Sequence, residues 1–227
     1  MQDITPGAGP VIGVLALGLS PRPDLEEAML AAVPGARLLV KGGLDGLGPA
    51  ELEPLGREAP NYPLMVRLRD QSSREADMFE LLPHLVRQGE ALAREGAERI
   101  VLMCSGGFPE FSLPVPVIRP VALLLAFAGL VAPRRRVGLI NPIAGQQAPA
   151  AAYWKERGYT VASAFASPFD PPAVVAAAET LHAKDVDLIA LDCMSFTDET
   201  LAEVKRRVPT PVLLPMRLVQ AFFRAMY

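Results

Sequence analysis

Both cysteines of this 227-residue chain stand where an open α/β protein presents reactive groups. Ile100-Val101-Leu102-Met103 runs into Cys104-Ser105-Gly106-Gly107, and Leu188-Ile189-Ala190-Leu191 runs into Asp192-Cys193-Met194-Ser195. A short apolar run bounded by turn residues is the pattern of a strand buried on both faces, and the residue at its carboxyl end emerges into the crevice of the sheet. Two thiols at equivalent strand ends, facing one another across a cleft, can act as an acid–base pair. One thiolate removes a proton from the carbon next to a carboxylate, and the other thiol returns one to the opposite face. This chemistry requires a thiol partly ionised near neutral pH, and hence one that is alkylated faster than a free thiol. The strand-to-helix turn expected after each cysteine would supply the donors, and its free amides near Ser105-Gly106 and Met194-Ser195 would attract an anion. Cysteine is also among the most buried residue types, so the spacing alone leaves inert packing thiols as the second reading.

Other side chains are weaker candidates. Asn141 ends the apolar run Val137-Gly138-Leu139-Ile140 and so sits at a strand end as well. Arg67 and Arg69 lie in an alternating stretch, where a guanidinium can pair with a carboxylate or simply face solvent. His84 and His182 fall in helical patterns away from the strand ends and read as surface residues. The two cysteines are far apart in sequence with no nearby histidine or carboxylate at metal-ligand spacing, so no metal is expected. Lys41-Gly42-Gly43-Leu44-Asp45-Gly46-Leu47-Gly48 lacks the Gly-Lys-Ser/Thr ending of a phosphate loop and reads as an ordinary loop.

The elements that must carry these residues repeat. Pro116–Phe127 lies over Pro211–Phe222 without a gap, placing Cys104 over Cys193 also aligns Ile100 with Ile189, Leu102 with Leu191 and Leu92 with Leu181, and Gly13 of the first strand has its counterpart in Gly138. Two such matches in the same order predict an α/β fold of two similar halves with parallel sheets, related by a pseudo-two-fold with a cleft between them. The halves are expected at 1–120 and 121–227, the last helix of the first reaching over the second. Expected first-half elements are a loose arm over residues 1–10, a strand from Val11, a helix over Leu25–Val33 capped by Asp24, a strand over Ala36–Val40, and a helix over Leu81–Glu95. The stretch 62–79 alternates like a hairpin and has no partner in the second half, so it is an insertion expected over or beside the cleft.

Composition narrows the function classes. The net charge of -3 with interspersed signs, and a single short basic run at Arg134-Arg135-Arg136, exclude a nucleic-acid footprint. The most apolar segment, Val121–Ala132, is well short of the ~20 residues that span a bilayer and is expected as a buried helix. Met1–Pro10 has neither the basic start nor the apolar core of a signal peptide, so the expected location is the cytoplasm, where both thiols stay reduced.

Lys41–Leu47, Arg67-Leu68-Arg69-Asp70, Leu102–Pro109, Arg136–Ile140 and Leu191–Phe196 together resemble the AroM family over nearly the whole chain. That family belongs to the aspartate/glutamate racemase superfamily, with hydantoin racemases, maleate isomerase and arylmalonate decarboxylase. The resemblance implies that Cys104 and Cys193 occupy the positions of two catalytic thiols, with Ser105, Gly106 and Ser195 holding a substrate carboxylate. It also implies cofactor-independent isomerase or racemase chemistry on a small carboxylate, with a single-cysteine decarboxylase or a non-catalytic acid-binding protein as alternatives. Whether the chain self-associates into a homo-oligomer is left open. The chain departs from the racemases at Cys104-Ser105-Gly106, where they usually carry Cys-Asn-Thr, and at Cys193-Met194-Ser195, where they often carry Cys-Thr-His. It also lacks the aspartate common in their first loop, having Gly18-Leu19-Ser20 there, so the resemblance names no substrate.

Overall fold

The computed structural model describes residues 9–55, 61–70 and 72–227; most of the expected amino-terminal arm, and Gln71 of the hairpin turn, lie outside them. In the first half β1 (Val11–Ala16), α1 (Pro23–Ala32), β2 (Arg37–Gly42) and the short α2 (Pro49–Leu52) precede a hairpin of β3 (Pro63–Arg67) and β4 (Ser73–Asp77). Then follow α3 (Met78–Arg94), β5 (Arg99–Leu102), β6 (Val117–Ile118) and α4 (Pro120–Val131). The second half runs β7 (Arg136–Asn141), a 3-10 turn at Ala144–Gln146, α5 (Gln147–Lys155), β8 (Thr160–Phe165), α6 (Pro171–His182), β9 (Leu188–Leu191), α7 (Asp198–Arg207), β10 (Val212–Leu213) and α8 (Pro215–Met226).

Each half is a four-stranded parallel sheet, in the order β2-β1-β5-β6 and β8-β7-β9-β10, so the expected repeat is present. Its sequence matches have physical causes. A side chain on Gly13 would come within 2.8 Å of Ile100 and 3.3 Å of Leu92, and one on Gly138 within 3.1 Å of Leu181. The missing side chains thus let α3 and α6 lie close on their sheets. Pro120 and Pro215 open α4 and α8, where a residue without an amide hydrogen loses nothing. The hydrophobic core crosses the boundary between halves: one cluster joins Ile12, Val14 and Met29 to Ile189, Leu191 and Val219, and another joins Leu15, Leu85 and Leu102 to Leu139 and Trp154. α4 packs on α8 and β9, while α8 packs on α1, where the Gln220 amide donates to the Ala28 carbonyl at 2.8 Å.

Several local expectations are corrected. Pro23 starts α1 earlier than predicted, so Asp24 lies inside the first turn rather than at the N-cap, and it takes two bonds from Arg22, 2.8 Å from Nε and 2.6 Å from Nη2. α3 starts at Met78 rather than Leu81, because Asp77 caps it by accepting from the Phe79 amide at 2.7 Å. The apolar segment at Val121–Ala132 is buried on one face only, through Val121, Leu124 and Ala128, and Leu130 is 80% exposed. Among the described residues no helix is long and apolar enough to cross a membrane.

The Lys41–Gly48 loop has a structural task. Asp45 accepts from the Ser20 amide (2.9 Å), the Ser20 hydroxyl (2.7 Å) and the Gly42 amide (2.7 Å), stitching the loop after β1 to the loop after β2. Asp45→Ala is expected to lower unfolding stability by about 2–3 kcal/mol, the scale for hydrogen bonds to a charged group, as read from urea denaturation.

Candidate active site

The two cysteines reach the cleft by the same local route. Strand pairing continues one residue past β5 and β9, with the Met103 amide donating to Leu15 and the Asp192 amide to Ile140, each at 2.8 Å. The chain then turns sharply: the Cys104 amide donates to Leu102 and the Cys193 amide to Leu191, again at 2.8 Å each. Each sulfur accepts from the amide two residues on, Cys104 from Gly106 at 3.3 Å and Cys193 from Ser195 at 3.5 Å. Both thiols line one cavity of about 40 Å³, room for a few water molecules.

Of the residues expected there, Cys104, Cys193, Ser105, Gly106, Ser195 and Arg67 line this cavity. Asn141 is not among its lining residues; it is 1% exposed, and its Nδ2 donates to Asp192 Oδ2 at 3.0 Å. Arg69 is exposed at the hairpin tip. His182 is exposed and bonded to the Thr210 hydroxyl at 2.7 Å, and His84, half-buried, contacts Arg87. Among the described residues no group of three histidine, cysteine or acidic side chains could hold a metal ion.

The structure adds Arg22, Tyr62, Gln146 and Asp192 to the wall. Asp192 had a legible signal, a carboxylate directly after a buried apolar strand. Arg22 and Tyr62 had none, since their place depends on packing between elements. Arg22 is held by Asp24. Tyr62 is anchored through its amide, which donates to Asp77 Oδ2 at 3.1 Å, and its hydroxyl accepts from the Gly107 amide at 3.5 Å. The hairpin contributes Tyr62, Leu64, Met65 and Arg67 to the cavity wall. It is seated by a close backbone approach: the Leu19 amide donates to the Arg67 carbonyl at 3.0 Å, and a side chain on Gly18 would lie 2.0 Å from that oxygen. Arg67 spreads over the Phe169 ring, 5.0 Å from its centroid, linking the hairpin to the loop before α6. Outside it lies a hollow of about 680 Å³ that shares Leu25, Arg67, Met194 and Ser195 with the inner cavity.

Burial works against the expected ionised thiol. Burial pushes the Cys104 thiol far above its ordinary range, the Gly106 amide only partly opposing it, and Asp192 and Cys193 adding to the rise. Burial also pushes Cys193 up, to about 11, with Ser195 and Arg22 working the other way. The reason lies in the turns. Residues 103–116 after Cys104 are irregular rather than helical, and α7 begins five residues beyond Cys193. Of the amides at these turns, those of Gly106 and Ser195 are engaged on the sulfurs and that of Gly107 on Tyr62. Arg22 and Arg67 bring positive charge to the wall, Arg22 paired with Asp24. Gly107 serves packing, because a side chain there would lie 2.1 Å from the Tyr153 ring. Asp192 is buried, and burial raises it to about 6 against the opposing effects of Ser105 and Asn141.

Two parallel α/β halves that bring a cysteine from each to one small cavity define the class, and the fold is similar to those of a solved decarboxylase, racemase and isomerase. Unliganded arylmalonate decarboxylase is 18% identical, with 96% of this chain and 92% of that one covered at a TM-score of 0.61. The allantoin racemase of Klebsiella pneumoniae is 18% identical, with 96% and 87% covered at 0.61. The maleate isomerase of Pseudomonas putida S16, solved with maleate, is 13% identical, with 96% and 92% covered at 0.63. No curated protein matches the sequence significantly. The chain belongs to the AroM family: the family's profile, described as AroM protein, matches residues 12–226.

Proposed function

We propose that the chain is a cofactor-independent proton-transfer enzyme of the racemase or isomerase type, using Cys104 and Cys193 on a small carboxylate. The observation that carries this is the pair of cysteines from equivalent strand ends lining one small cavity whose wall also includes Arg22 and Arg67. Arg22 and Arg67 attract the carboxylate and stabilise the charge that spreads onto it when the neighbouring carbon loses its proton. One sulfur, as thiolate, takes that proton; the other thiol delivers its own to the opposite face, and the two exchange protonation states. Burial raises Cys193 less than Cys104, which favours Cys193 as the first base. From about 11, forming its thiolate at neutral pH costs about 5 kcal/mol. The same burial makes that thiolate a strong base toward carbon, and leaves Cys104 protonated as the acid.

That asymmetry supports a second reading, a decarboxylase in which a single neutral thiol protonates one face after carbon dioxide leaves. Both readings require proton delivery to carbon, unlike a non-catalytic acid-binding protein. Incubation in deuterated water with a panel of small carboxylates, read by proton NMR, tests the proposal. Deuterium is expected at the carbon next to the carboxylate of at least one acid. A product that has lost carbon dioxide and gained one deuterium would favour the decarboxylase, and absence of label across the panel would favour the binding protein.

A further inference from the structure

α4 has the composition of a buried helix, yet one side of it faces solvent. None of its residues, Pro120–Val131, has a side chain that carries a charge or makes a hydrogen bond. A helix apolar all round is normally covered on every side. The repeat supplies an internal control. Its counterpart α8 presents the equivalent positions to solvent and fills them with Arg217, which pairs with Asp198 at 2.6 Å, Gln220 and Arg224. In α4 those positions are Ala122, Leu125 and Gly129. Position fixes exposure in both helices, but only α8 answers it with polar side chains. Leu130, 80% exposed, stands on the same side of α4 as Ala126 and Ala122, one and two turns back.

We infer that a second copy of the chain covers this face, α4 packing antiparallel on the α4 of its partner across a two-fold axis near Ala126. Such an axis sets Leu130 of each copy against the partner's Ala122, a bulky side chain over a small one. The two ends of the helix are complementary in charge. At the amino end the Glu110 side chain, 96% exposed, lies 3.4 Å from Arg119, the residue that precedes α4. Beyond the carboxyl end Arg135 is exposed, stacks on the Tyr159 ring and makes no ion pair among the described residues. Antiparallel packing brings the acidic end of each helix to the basic end of the other and sets the helix dipoles in opposition. A bilayer fits less well: α4 is about 18 Å long against about 30 Å of hydrocarbon, and it lacks the polar face that an interfacial helix turns to water. One helix face falls short of the ~800 Å² that each partner of a standard interface buries, so the dimer is weak and forms with concentration. The contact is independent of the chemistry proposed for the cleft.

Sedimentation velocity of the full chain from about 1 µM to about 500 µM tests it. The average mass is expected to rise from monomer toward dimer, with a midpoint on the order of tens of micromolar. Leu130→Glu places two like charges in the contact and is expected to weaken the dimer by at least about tenfold. Because Leu130 is so exposed, its melting temperature should stay close to that of the wild type. Glu110→Arg is expected to weaken the dimer about threefold, and Arg135→Glu added to it to restore the wild-type midpoint, since the two-fold then exchanges both members of each pair. A monomer at every concentration, or a dimer as tight in Leu130→Glu as in the wild type, overturns the inference. So does a monomeric wild type that co-sediments with anionic phospholipid vesicles, which would assign the face to a membrane. Should Leu130→Glu fail to fold, the charge exchange decides, and a double variant no tighter than Glu110→Arg alone overturns the antiparallel contact.

Discussion

Replacing either cysteine by alanine is expected to lower solvent-deuterium exchange into the substrate by about 10²–10⁴-fold, the range lost with a positioned general acid or base. The two losses should be similar, because the exchanging proton leaves by one sulfur and its replacement arrives from the other. Each sulfur also accepts one amide, from Gly106 or Ser195, so alanine leaves that donor unsatisfied and should cost stability by about 1–2 kcal/mol. Thermal melting separates this modest loss from the catalytic one. Cys104→Ser and Cys193→Ser restore a hydrogen-bonding atom without a thiol and are expected to regain stability but not exchange. If only one cysteine proves essential, the single-thiol decarboxylase is the better account; if exchange survives both changes, the thiols belong to the core. Iodoacetamide gives a parallel measurement. Because burial holds both thiols up, they should be alkylated more slowly than a free thiol near neutral pH, with Cys193 the faster of the two.

Stability should fall as pH rises from about 4 to 7, and Asp192→Asn should remove most of that fall. Asp192 titrates at 3.8 when exposed and at about 6 in the folded protein, so across this interval the folded state binds more protons than the unfolded state. The slope of unfolding free energy with pH is then negative. A shift of about two units corresponds to about 3 kcal/mol, fully lost above the folded value. Asparagine cannot ionise and keeps the bond to Asn141, so the variant should be the more stable of the two at neutral pH and close to wild type at pH 4. Urea denaturation at a series of pH values measures this directly, and parallel curves for both proteins would show that Asp192 is not held up by burial. A second decline belongs to the thiols. Cys193 rises from 9.0 to about 11, so stability should fall again over that interval in both proteins, and in Cys193→Ala that limb should shrink.

The sequence by itself determined the strands, the repeat and the positions of the thiols. Apolar runs such as Ile100–Met103 and Leu188–Leu191 can only be satisfied between two covered faces, and the ends of such strands are where side chains leave the core. Matching glycines and prolines then fixed the equivalence of the halves, because each answers a local demand: close helix approach at Gly13 and Gly138, a missing amide at Pro120 and Pro215. Tertiary structure alone decided the chemistry available at the strand ends. Thiol acidity depends on total burial and on which amides are already engaged, and neither can be read from Cys104-Ser105-Gly106. Arg22 and Tyr62 reach the cavity through a loop pinned by Asp45 and a hairpin seated on Gly18, contacts between segments 25 and 49 residues apart. Asn141 sits at the expected strand end, but the carboxylate across the sheet, not the cavity, takes its side chain. Strand position is a local property of the chain; what a buried side chain faces is set by everything packed around it.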